Sequence, residues 1–252
     1  MRQLTAAVAV AAISTLVAGC GNSDDKGSGS SSPSASATTT AAASKSPVAQ
    51  AALGNLLLTP AEVDTLLGVT GSKSKEKINK LQDDIPKPQP GWKFPDECVY
   101  GLGPVETPVY NGSGFTAVVG DDDVTAMGND QDIEIAQAVV LFPSAKEASD
   151  LFTTSSQRWP ACGDRQFTAP ASADSPEITW KFGPFANANG ILTTTASSSV
   201  AGNNGGPPMT VTVGRALTVR NNVVIDILLM RKDLADFPAK VAGQIGDKVD
   251  KA

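Results

Sequence analysis

The sequence predicts an α+β domain, a twisted and mainly antiparallel sheet with helices packed on it. Three observations carry this. Most strand-like runs are joined by links too short for a crossover, which favours antiparallel pairing. The strongest hairpin pattern is Met209 to Val219 and Val223 to Met230, rich in β-branched residues on either side of Arg220-Asn221-Asn222. Helical signatures interrupt the strands at the start, middle and end of the domain.

In chain order, Thr59-Pro60-Ala61-Glu62 has the form of a capping box: Thr59 caps, Pro60 needs no donor and Glu62 reaches back. The helix carries Val63, Leu66 and Leu67 and stops at Gly68. Gly71 to Lys80, rich in lysine, and Pro86 to Pro95 read as exposed connections. Cys98-Val99-Tyr100 is expected to begin a strand and Phe115 to Val119 another, with Gly120-Asp121-Asp122-Asp123 turning away from it. Ile133 to Phe142 becomes continuously apolar, as a central strand does. Ser144-Ala145-Lys146-Glu147 repeats the capping-box pattern, and the following helix aligns Ala148, Leu151, Phe152, Ser155 and Trp159 before Pro160. Ile178 to Phe182 and Ile191 to Thr195 read as strands, and Asn203 to Pro208 as a turn-forming loop. Asp236 is placed to cap a last helix in which Phe237, Val241, Ile245 and Val249 recur every fourth residue.

The N-terminus precedes this domain with a different chemistry. After Arg2 the chain is apolar from Leu4 to Val17, shorter than the roughly 20 residues a spanning helix needs and suited to a signal peptide. Val17-Ala18-Gly19-Cys20 looks like a bacterial lipobox, in which the cysteine sulfur takes the lipid; the alternative is a plain signal peptide with an incidental cysteine. We therefore expect a lipoprotein signal peptide at 1–19, lipidation at Cys20, a disordered Ser/Thr/Ala/Pro tether over 20–50 and the folded domain over 51–252. Two or more acyl chains anchor a protein stably at a bilayer. No later stretch is apolar enough to span; Val223 to Met230 is interrupted by Asp226. The expected location is the extracytoplasmic face of the cell membrane. The tether gives the domain a reach of about 30 Å, and its hydroxyl-rich composition suits either glycosylation or a bare spacer.

Composition narrows the function. The net charge is −6 with no basic block, which excludes nucleic acid as a partner. Histidine is absent, so Ser-His-Asp or Cys-His catalysis and histidine-ligated zinc are excluded. Cys98 and Cys162 are the remaining thiols, and an even pair in an exported domain reads as a disulfide. Asp121-Asp122-Asp123, with Asp130 and Asp132, lacks the spacing of a calcium loop and reads as a solvated acidic loop. Ser72 to Lys77 contains Ser-x-x-Lys twice without the accompanying elements of penicillin-binding enzymes. Trp159 and Trp180 read as core in preference to a cleft lining. Neither a catalytic set, a metal site nor a cofactor motif emerges.

Several segments together resemble the mycobacterial PknH-like extracellular sensor domain, found on receptor kinases and as free lipoproteins. They are Leu57-Leu58-Thr59-Pro60-Ala61-Glu62-Val63, Asp96-Glu97-Cys98, Ala138-Val139-Val140-Leu141-Phe142-Pro143-Ser144-Ala145 and Trp159-Pro160-Ala161-Cys162. The resemblance covers nearly all of residues 51–252. It implies one domain with a cleft that binds an unidentified extracellular ligand, and it implies pairing of Cys98 with Cys162. A second cysteine pair of the kinase-attached member is missing here, and no ligand-binding residues transfer. The expected function is thus a non-catalytic envelope lipoprotein, held by its lipid anchor and binding an unidentified envelope ligand. A scaffold for a protein partner would instead present a flat surface with a large apolar patch. A carboxylate-based hydrolase would present close acidic residues in a cleft, one with a raised pKa.

Overall fold

The computed structural model describes residues 46–126, 133–172, 175–202 and 206–252. The expected signal peptide, Cys20, most of the tether, Asp130, Asp132 and the loop residues 203–205 lie outside the described residues. The folded unit takes in chain ahead of Ala51: Val48 is buried, and its N–H donates to Asn222 Oδ1 at 2.8 Å.

Nine described strands form one sheet: β1 (Lys73–Ile78), β2 (Ala117–Thr125), β3 (Ile133–Leu141), β4 (Gln166–Ala169), β5 (Ile178–Phe182), β6 (Ala186–Ala188), β7 (Ile191–Val200), β8 (Met209–Arg220) and β9 (Val223–Met230). The order is β1-β2-β3-β9-β8-β7-β5-β4, with β6 paired to β7, and every named pairing is antiparallel. The α+β reading holds. Among the described residues four α-helices accompany the sheet: α1 (Pro60–Leu67), α2 (Thr107–Tyr110), α3 (Ala145–Arg158) and α4 (Phe237–Val249).

Period-two alternation divides the core between the two faces of the sheet. On the first face, Ile135 and Val139 of β3 and Ile225 and Ile227 of β9 pack against Val63 and Leu67 of α1 and Val241 and Ile245 of α4. On the second, Ala138, Val140, Val224 and Leu217 meet Ala148 and Leu151 of α3, Tyr110 of α2 and Trp159. A third cluster, Phe94, Trp180 and Phe182 with both cysteines, extends the second face over β4 and β5. Trp159 and Trp180 are both core residues.

Four local expectations are corrected. The lysine-rich segment expected as a connection is edge strand β1, whose Lys73, Lys75 and Lys77 are exposed; charge along an edge discourages pairing with another chain. Cys98-Val99-Tyr100 lies in a 3-10 helix, Asp96–Gly101, and not in a strand. Gly120-Asp121-Asp122-Asp123 does not turn away but continues β2. Asp236 occupies the N-cap of α4 without a side-chain cap bond, because its carboxylate pairs with Lys240 Nζ at 2.8 Å.

The α1 capping box is complete, with Thr59 N–H donating to Glu62 Oε2 at 2.7 Å. At α3, Glu147 N–H donates to Ser144 Oγ, while the Glu147 carboxylate accepts from the Ser144 hydroxyl. The hairpin between β8 and β9 closes with Arg220 opposite Val223 and Asn221 at φ 51°, a left-handed position that Asn tolerates well. Asn222 then ties the turn to Val48 and to the Phe142 carbonyl.

Candidate functional site

Cys98 and Cys162 form a disulfide with Cα atoms 5.0 Å apart. It joins the 3-10 helix Asp96–Gly101 to a second one, Trp159–Cys162, at the end of α3. The acidic run at 121–123 is not a solvated loop. As strand residues, Asp121 and Asp123 point to the first face, and Asp122 to the second. Asp121 pairs with Lys77 and accepts from Ser74 Oγ at 2.5 Å; Asp123 accepts from Gln137 Nε2 at 2.9 Å. Lys73, Lys75 and Lys77, from the Ser-x-x-Lys repeats, are exposed.

A half-enclosed groove of about 420 Å³ opens on the first face, where α4 begins. Its floor comes from alternation and register: Ile191, Thr193 and Thr195 of β7 share a face, with Thr193 opposite Ala216 and Thr195 opposite Gly214. Leu234 and Pro238 form a wall. The missing side chain at Gly214 lets them approach, since a Cβ there would lie 2.6 Å from Pro238 Cγ. The lining is mostly apolar, with Asn189, Thr193, Thr195 and Asp236 among its polar residues, the balance typical of small-molecule sites.

Arg215, which also borders this groove, has its guanidinium in the second-face core. There Nη2 lies 2.7 Å from Asp226 Oδ1, close in distance but not aligned as a hydrogen bond. Nη1 donates to the Ile227 carbonyl at 2.6 Å, and the guanidinium lies 5.7 Å from the centre of the Trp159 ring. The other Asp226 oxygen accepts from Tyr110 Oη at 2.7 Å and from the Val105 N–H at 3.0 Å. Burial first, and then the Asp226 carboxylate, pushes the Tyr110 hydroxyl well above its ordinary pKa.

A second cleft, of about 360 Å³, lies on the second face near the β1 edge. Glu76, Asp84, Glu106, Asp122 and Glu134 line it, together with apolar Ile78, Leu102, Ala136 and Leu228. Glu106 is fully buried. Its Oε2 accepts from the Asp84 N–H at 3.3 Å, while Oε1 has no hydrogen-bond partner. Burial, reinforced by the Asp84 charge, raises its pKa to about 8. Asp122 is raised to about 6, by burial and then by Glu134, against the pull of Lys75. Lys75 Nζ sits 2.8 Å from Glu134 and 3.4 Å from Asp122. Among the described residues no group of three or more His, Cys, Asp or Glu is arranged to hold a metal ion, and no helix is long and apolar enough to cross a membrane.

Neither cleft was assigned residues from the sequence, because each collects side chains from distant segments. One signal was present. Asp226 stands alone in the apolar run Val223 to Met230, and a buried charge requires partners.

The PknH-like extracellular domain family profile matches residues 48–248. The serine/threonine-protein kinase PknH of Mycobacterium bovis is 30% identical over 205 residues, covering 81% of this chain and 32% of the kinase. PknH of Mycobacterium tuberculosis H37Rv is 30% identical over the same length, covering 81% and 30%. The chain thus spans about a third of the curated relatives it matches. The crystal structure of the extracellular domain of PknH from M. tuberculosis superposes with a TM-score of 0.67 at 27% identity, covering 82% of this chain and 99% of that one.

Proposed function

Because the chain belongs to the PknH-like extracellular domain family, we propose that it is a non-catalytic ligand-binding lipoprotein of the cell envelope, anchored through Cys20. The observation that carries the binding reading is the groove of about 420 Å³ beside α4, half-enclosed and mostly apolar, with a few polar residues, Asn189, Thr193, Thr195 and Asp236, to orient an occupant. Its ligand is an envelope lipid or cell-wall component with an apolar body. A partner-binding scaffold fits less well: Met209 is the one large apolar side chain strongly exposed among the described residues, which is no apolar patch. The kinase activity of the relatives belongs to parts of those proteins that this chain does not span. Screening the protein by thermal shift against lipid and cell-wall fractions tests the reading. Stabilisation by at least one fraction is expected, and none by any fraction overturns it.

A carboxylate hydrolase is the second reading, favoured by the raised pKa values of Glu106 and Asp122 in one cleft. Against it, Asp122 and Glu134 are engaged by Lys75, and among the described residues no aromatic ring lines that cleft for sugar stacking. Release of reducing ends from envelope glycans, lost on Glu106→Gln, would establish it in place of the binding reading.

A further inference from the structure

The acidic cleft is separate from the groove, and the ligand reading above does not use it. Its carboxylates come from five segments: β1 (Glu76), the β1–α2 connection (Asp84), the residue before α2 (Glu106), β2 (Asp122) and β3 (Glu134). Among the described residues no Lys or Arg lines its interior, and Lys75 stands at its rim against Asp122 and Glu134. Two buried oxygens in it, Glu106 Oε1 and Asp122 Oδ1, lack hydrogen-bond partners, and buried acceptors of this kind are ordinarily satisfied. The chain closes tightly around the first of them: a Cβ on Gly103 would lie 2.5 Å from Glu106 Oε1. The cleft therefore has acceptors in excess of donors, next to the apolar wall of Ile78, Leu102, Ala136 and Leu228.

The geometry points to this cleft as a binding site for a primary alkylammonium group, with Glu106 and Asp122 as acceptors and the apolar wall against its methylene chain. The protein already holds one such group at the rim. Lys75 lays its ammonium between Glu134 and Asp122 at 2.8 and 3.4 Å. A divalent metal fits less well, because the carboxylates spread along the cleft without converging on one point.

Charge linkage follows. Glu106 faces Asp84, Asp226 and the Arg215 guanidinium, and Asp122 faces Glu134 and Lys75. Burial keeps Glu106 protonated up to pH about 8, so a bound cation must displace that proton. Amine affinity therefore rises with pH between 6 and 9, a range in which an alkylamine itself stays charged.

The test is calorimetric titration of the detergent-solubilised full chain with pentane-1,5-diamine, with pentane-1,5-diol as the uncharged control. Saturable binding of the diamine and not the diol is expected, about a hundredfold tighter at pH 9 than at pH 6, with proton release at the lower pH. Glu106→Gln and Asp122→Asn should each weaken it about tenfold, the size of one charge-assisted hydrogen bond. Asp96→Asn, at an exposed acid outside the cleft, should not change it. No saturable binding, equal binding of the diol, or affinity unchanged in both cleft variants would overturn the proposal. So would tighter binding of calcium than of the diamine. A failure here leaves the groove reading standing, since the two cavities share no lining residue.

Discussion

Arg215 of β8 and Asp226 of β9 face each other inside the protein, 2.7 Å apart and each only 2% exposed. Around them, Tyr110 and the Val105 N–H hold the second carboxylate oxygen, and the Ile227 carbonyl holds the guanidinium. The pair fastens the segment leading into α2 onto the sheet, and Glu106 follows directly in that segment.

Removing one member leaves a buried charge uncompensated. Asp226→Asn or Arg215→Met is expected to cost about 3–5 kcal/mol. The double variant Arg215→Met with Asp226→Leu should cost clearly less than the sum of two single losses. Urea unfolding of the set, read as a double-mutant cycle, checks this.

Glu106 should make the fold weaken with rising pH. Its pKa lies at about 8 in the folded protein against an ordinary 4.5, so the folded state retains a proton that the unfolded state has lost. Its contribution is complete below pH about 4.5, falls as pH rises toward 8 and is constant above. Asp122, raised to about 6 from 3.8, adds the same sign over a lower window. Calorimetric Tm values between pH 5 and 9 should show a steeper decline for the native protein than for Glu106→Gln.

The Cys98–Cys162 bond closes a long loop, with 64 residues of sequence separation. In the chain-entropy description this stabilises the fold by about 4 kcal/mol. The Cys98→Ser/Cys162→Ser variant should lose stability of that order in guanidinium titrations, and reductant should weaken the native protein alone.

Anchoring is expected to depend on one sulfur. Cys20→Ala should move the protein from the membrane pellet to the soluble extracytoplasmic fraction, and mass spectrometry of the native protein should find acyl chains on Cys20.

Much of the scaffold could be read before the structure was known, because local rules carried it. The β8–β9 hairpin declared itself through β-branched runs around Asn221, α3 through its spacing and its Ser144 cap, and α4 through its spacing alone. Where local rules misled, tertiary partners were the cause. Asp121, Asp122 and Asp123 have the composition of a turn, yet they sit in a strand because Lys77, Lys75 and Gln137 neutralise or bind them. The lysines of β1 resemble a solvated connection because an edge strand needs only one hydrogen-bonded side. The groove and the acidic cleft had no local signature at all. Thr193 and Leu234, or Glu76 and Glu106, become neighbours only when the sheet order is complete.

The groove beside α4 is the centre of the functional account, and filling it is the most direct test. Thr193→Trp places a bulky side chain in the cavity while leaving the Arg215–Asp226 pair on the opposite face untouched. Native protein and variant are compared by thermal shift with the most stabilising envelope fraction. At a ligand concentration about a hundred times Kd, the native protein should gain about 5 °C or more, and the variant should gain nothing. An equal gain in both proteins, or none in either, would contradict ligand binding in this groove.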